Sequence, residues 1–117
     1  MNIAFKDIEL KIDDSWLEQG ERFLDQDSLL SLTEIDRNFW IGKVKDEEVF
    51  EVEIQTTAQR IKAVTCECAV YHQKNKCGHV MAAVLRLRDL YKQKEEQRAK
   101  KKNRPPSQIK LNTQNIL

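Results

Sequence analysis

The sequence predicts an α+β fold: a small antiparallel β-meander followed by a C-terminal α-helix, with a short helix ahead of the sheet. Three observations carry this. Between residues 28 and 66, short apolar runs alternate with polar positions and are separated by turn-forming clusters, the period of two of half-buried strands. From Val80 to Tyr91 the apolar spacing changes to threes and fours, the period of a helix. Between the two patterns lie Cys66, Cys68, Cys77 and His79, so the residues with the most chemistry sit where strand gives way to helix.

Taken in order, Ser15-Trp16-Leu17-Glu18 has the form of a capping box, a hydroxyl able to accept from an early helical N–H with a glutamate three residues on. Trp16, Leu17, Phe23 and Leu24 share roughly one face of the helix it opens, and Gly20 is expected to interrupt or end that helix. SLLSLTEI (28–35) is the first strand, followed by the turn Asp36-Arg37-Asn38. In FWIGKVK (39–45), Trp40, Gly42 and Val44 share one face and Phe39 and Ile41 the other; Asp46-Glu47-Glu48 then turns the chain. VFEVEIQ (49–55) alternates most cleanly, with Phe50, Val52 and Ile54 inward and Glu51 and Glu53 outward. Thr56-Thr57-Ala58-Gln59 turns into RIKAVTC (60–66), the last strand. Four short strands on tight connections make an antiparallel meander.

After His79, Val80, Val84, Leu87 and Tyr91 form one stripe with Met81, Ala83 and Leu90 beside it, ordinary packing of a helix on a sheet. The helical pattern fades near residue 103 and Pro105-Pro106 ends it. The chain is therefore read as an N-terminal segment with a short helix (1–27), the sheet with its basic helix (28–103), and a linker or disordered tail (104–117).

Three cysteines leave one thiol unpaired in a monomer, and a disulfide across Cys66-Glu67-Cys68 would be strained. All three lie within twelve residues, as Cys66-Glu67-Cys68, eight residues, then Cys77-Gly78-His79. Three thiolates and an imidazole are the donors of a closed tetrahedral zinc site, and two close pairs joined by a short loop can converge without a large framework. Cysteines that merely fill a core would not be joined by AVYHQKNK, which is polar and basic. A catalytic Cys–His pair is the competing reading, but a nucleophile needs one thiolate and an orienting third group, not three crowded thiols. His72 is a fifth candidate for four positions; its mid-loop place suits an exposed ring, or one hydrogen-bonded to a thiolate, better than a ligand. With zinc at Cys66, Cys68, Cys77 and His79, the metal anchors the helix to the last strand, and its affinity becomes folding free energy.

Composition bounds the function. With 117 residues, 40% hydrophobic and 33% charged, the chain suits one small domain with a modest core. No apolar run approaches the roughly 18–20 residues of a membrane-spanning helix. The opening MNIAFKDIELKIDD lacks a signal-peptide core, so a soluble, cytoplasmic domain is expected. Three glycines leave no Gly-rich phosphate loop, which excludes a nucleotide site of that type. The net charge of +1 conceals a dipole: residues 1–59 carry six basic and fifteen acidic side chains, residues 60–117 fourteen and four. An asymmetry of that size bears on partners rather than on fold.

Strands, Cys-x-Cys, a loop, Cys-x-His and a helix, in that order, resemble the SWIM zinc finger. The resemblance rests on Cys66-Glu67-Cys68, Cys77-Gly78-His79 and the run VMAAVL after them. Trp40, Val44 and the Phe50-Val52-Ile54 strand look like that family's preceding hairpin, so the likeness covers about residues 28–91. The residue between the last Cys and His is often basic in the family; here it is Gly78, which removes a phosphate contact without touching the ligands. The resemblance implies a non-catalytic module that binds DNA or protein. It is most like the N-terminal SWIM domain of bacterial Swi/Snf-type helicase-like ATPases.

Two functions follow as expectations. The first is binding of DNA through Lys74 and Lys76 in the loop and Arg86, Arg88, Lys92 and Lys94 on the helix, acting on phosphates. With only Tyr71 and Tyr91 as aromatics there, a single-strand stacking platform has little support. The second is docking onto a protein partner or an adjacent ATPase domain, the acidic first half facing a basic surface. No membrane, small-molecule substrate or catalytic residue is expected, because four good ligands leave zinc no open position.

Overall fold

The computed structural model describes residues 1–74 and 76–103, with side chains as far as Lys94. The fold is α+β. Five strands, β1 (Ile3–Ala4), β2 (Leu29–Asp36), β3 (Phe39–Asp46), β4 (Glu48–Thr57) and β5 (Arg60–Cys66), form one antiparallel sheet in the order β1-β5-β4-β3-β2. Four helices accompany it among the described residues: α1 (Ile8–Lys11), α2 (Asp14–Asp25), α3 (Ala69–Lys74) and α4 (Gly78–Asn103). The predicted meander is β2 to β5. The two-residue β1, which pairs Ile3 with Ile61 on the far edge, carries no periodicity that a sequence could reveal.

Register explains which face is buried. Trp40 pairs with Ile54 and Ile54 with Val64, while Gly42 pairs with Val52 and Val52 with Cys66, so these residues line one side of the sheet. Ile61 and Val64 are both buried although three apart, because a bulge between Gln55 and Thr56 changes the phase of β5 against β4. The β4–β5 connection is a two-residue turn, Ala58-Gln59, with φ of 42° and 64°. That is the left-handed backbone two-residue hairpins favour, adopted here without glycine or asparagine.

Helix α4 departs from the expected single stripe. Every residue from Gly78 to Leu85 is buried, as is Leu87. A helix apolar all round needs neighbours on more than one side. The sheet covers one flank of α4 and α2 covers another. Gly20 does not end α2: it is where α2 crosses α4, and a Cβ there would lie 2.7 Å from Met81 Cβ and 2.8 Å from the Met81 carbonyl carbon. The capping box is not formed either. The helix begins two residues earlier, at Asp14 after Asp13, with no side-chain cap, and Ser15 lies inside it. Ile3, Phe5, Ile8, Ile12 and Leu17 from the N-terminal segment join the same core as the strands. The expected tail, 104–117, lies outside the described residues.

Candidate metal centre

Cys66 is the last residue of β5, Cys68 and Cys77 immediately precede α3 and α4, and His79 is in the first turn of α4. All four are buried, and one ligand atom from each lies within 4.8 Å of the other three. A tetrahedral site with metal–sulfur bonds of about 2.3 Å has ligand–ligand edges of roughly 3.5–3.8 Å. Cys66 Sγ and His79 Nδ1 already stand 3.8 Å apart. Cys66, Cys68, Cys77 and His79 are therefore placed to hold a metal ion, with a donor set consistent with zinc.

Local backbone explains the convergence. The loop expected between the pairs is mostly the short helix α3, so each of Cys68 and Cys77 stands at a helix start. The Tyr71 N–H donates to Cys68 Sγ and the Val80 N–H to Cys77 Sγ, each at 3.4 Å. Otherwise unpaired N–H groups at a helix start thus meet sulfur, and at Cys77 the Val80 N–H favours the anionic form. Against that, the Cys77 thiol is pushed up, first by its hydrogen bond to Cys66 and then by burial. The same bond lowers Cys66 far below the thiol range, against its burial, with His79 helping. Cys66, lowered in this way, stands beside a histidine raised to about 9, chiefly by Cys66 and, after the opposing effect of burial, by Asp46.

Asp46 escapes a sequence reading because it is the last residue of β3, far from the cysteines in the chain. Its Oδ2 accepts a hydrogen bond from His79 Nε2 at 2.9 Å, which leaves Nδ1 facing Cys66. A carboxylate on the outer nitrogen fixes the tautomer and raises ligand basicity. The ring is also held from its faces: Phe50 stacks on it at 4.7 Å and 17°, and Phe23 lies at 5.2 Å and 37°. The inward position of Phe50 was legible from its strand; that of Phe23 required knowing where α2 packs. Tyr71 closes the neighbouring side, its hydroxyl donating to the Val64 carbonyl at 2.7 Å. His72 is exposed and outside the cluster; its backbone N–H donates to the Cys68 carbonyl, and its ring bonds no thiolate.

The expected nucleic-acid contacts are spread over α3, the residues just before α4 and the middle of α4. Lys74 is exposed on α3 and Lys76 half-buried beside Cys77, at the metal end of α4. Arg86, Lys92 and Lys94 are exposed further along that helix, roughly 12–24 Å away at 1.5 Å per residue. Arg88 is not free for phosphate: its guanidinium binds Glu9 at 2.8 Å and Asp89 at 3.3 Å. Gly78, expected only to lose a phosphate contact, is fixed by packing. A Cβ there would lie 2.7 Å from the Phe23 ring and 3.1 Å from Gln19 Oε1. No helix among the described residues is long and apolar enough to cross a membrane. In comparisons with known proteins, no family model, no curated protein and no solved structure matches this chain.

Proposed function

We propose that the chain is a non-catalytic zinc-binding module of SWIM type that binds DNA, serving a helicase-like ATPase. The observation that carries the metal half is the buried set of four donor atoms, three sulfurs and one nitrogen, within 4.8 Å of one another. Zinc bound there would have all its positions filled by protein, leaving none for a water or a substrate, so its contribution is structural. Cys66 belongs to the sheet while Cys77 and His79 belong to the start of α4, so the ion ties strand to helix. For a domain of this size, such a tie supplements a small core.

The DNA half is supported by the exposed cations on the C-terminal half, Lys74, Arg86, Lys92 and Lys94. Such charges act on phosphates and give binding that falls steeply with salt. The test is a titration of the zinc-loaded chain with DNA at several salt concentrations. The expected result is salt-dependent binding that weakens on joint Arg86→Glu, Lys92→Glu and Lys94→Glu substitution. Undetectable binding at low salt, or indifference to those substitutions, refutes it.

A second reading, docking onto a protein, is favoured by the β2 edge. Leu30 and Ile35 are 54% and 55% exposed on a strand whose outer side pairs with nothing among the described residues. An unpaired edge can accept a strand from another chain. Binding of a basic protein surface, with DNA ignored at low salt, would select this reading over the first.

A further inference from the structure

We infer that the cleft between the N-terminal segment, the β4–β5 turn and the middle of α4 is a site for single-stranded nucleic acid. It seats a phosphate among Lys6, Arg60 and Lys92 and a base against Tyr91. This inference rests on the nucleic-acid reading above, but it moves the contact away from the metal end and adds two cations that the sequence did not suggest.

The cleft encloses about 570 Å³ and is lined by all four of these residues. That volume lies in the range of about 300–1,000 Å³ that accommodates a ligand of nucleotide size. The sign of its charge is decided by pairing. Glu9 is the only acidic residue lining the cleft, and its carboxylate is held at 2.8 Å by Arg88, which lines the cleft too. Among the described residues no carboxylate pairs with Lys6, Arg60 or Lys92, and all three line the cleft. Arg60 is oriented as well: its Nε donates to Asn2 Oδ1 at 3.1 Å, which leaves its Nη groups for an anion.

The aromatic wall is equally prearranged. Tyr91 is half-buried and stacked on the buried Phe5, centroids 4.8 Å apart and planes 27° from parallel. A ring backed in this way loses little freedom when a base stacks on it. The Phe5 backbone N–H donates to the Gln59 carbonyl at 3.1 Å, which ties the strained turn, and Arg60 after it, to the aromatic pair. Cations flanking an aromatic ring inside a cleft match how a flexible single strand is held, backbone on charge and base on ring. A duplex keeps its bases stacked inside and cannot offer one to Tyr91.

The test uses the zinc-loaded full chain and fluorescence anisotropy with a labelled short oligothymidylate, a matched duplex, and an abasic strand of equal charge. The oligothymidylate should bind tighter than either. Arg60→Glu with Lys6→Glu should weaken it by about tenfold or more, while Arg86→Glu, away from the cleft lining, stays within about twofold. Tyr91→Leu should abolish the preference for oligothymidylate over the abasic strand, a loss of about fivefold or more. If the cleft pair has no effect while Arg86→Glu does, the cleft is wrong and the DNA-binding reading survives. If no nucleic acid binds, both fall. Competition by polyglutamate as strong as by oligothymidylate, with Tyr91→Leu silent, would mean a site for acidic peptides and overturn the inference. Unchanged zinc content and melting in the surface variants separate these outcomes from misfolding.

Discussion

The sharpest consequence of the metal-site geometry concerns a residue that would touch no metal. Asp46→Ala removes the carboxylate that accepts from His79 Nε2 at 2.9 Å. Loss of a partner behind a ligating histidine typically costs about 10–100-fold in metal affinity. The lower end applies here. The Asp46 side chain is 47% exposed, so water replaces it, and Phe50 and Phe23 still hold the ring. The expected loss is therefore about tenfold, since a solvated carboxylate contributes less than a buried one. Asp46→Asn keeps an acceptor and should lose about threefold, the difference between a charge-assisted and a neutral hydrogen bond. The assay is competition for zinc against a chromophoric chelator at neutral pH, with Glu48→Ala, one exposed acid removed near by on β4, as the control for net charge. Asp46→Ala with unchanged affinity and intact fold, or Glu48→Ala with an equal loss, would refute the reasoning.

Other consequences can be checked on the same protein. Zinc uptake at neutral pH should release protons from at least His79, raised to about 9, and Cys77, also raised. In the metal-free chain the raised His79 lends stability that is complete below its ordinary 6.5 and lost as the pH climbs through 9, whereas zinc needs the neutral ring. Calorimetry in buffers of different ionisation heat measures the release, and none would contradict the site. Gly20→Ala adds a methyl 2.7 Å from Met81 Cβ and close to backbone, so overpacking of about 1–3 kcal/mol should exceed the roughly 1 kcal/mol gained in helix propensity. Urea unfolding decides; a net gain would mean that α2 and α4 do not cross there. Replacing Ala58-Gln59 by Asn-Gly should stabilise the chain by about 1–2 kcal/mol, because both residues hold positive φ at a cost. An unchanged or lower melting temperature would contradict that turn.

Local signals were readable and crossings were not. The alternation in VFEVEIQ and the turn residues at 36–38 and 46–48 locate β2 to β5 within a residue or two, because a half-buried strand writes its period into the chain. The ligand set was legible for a similar reason: donors close in sequence need only one turn to meet in space. Gly20 reads as a helix breaker until α4 is seen to press on it, which is tertiary packing overriding propensity. The continuous burial of Gly78–Leu85 and the positions of Asp46 and Phe23 around His79 likewise follow from α2 packing over α4 and from where β3 ends. The basic residues were countable, yet counting could not reveal that Arg88 is bound to Glu9, or that Lys6 and Arg60 join Lys92 from distant parts of the chain.

The central claim, that zinc held by Cys66, Cys68, Cys77 and His79 ties β5 to α4, is tested most directly by counting metal on intact folded chains. Native mass spectrometry of the wild-type protein should find one zinc per chain, retained by His72→Ala and lost from Cys77→Ser along with part of the fold. Full zinc occupancy in Cys77→Ser with unchanged melting would contradict it.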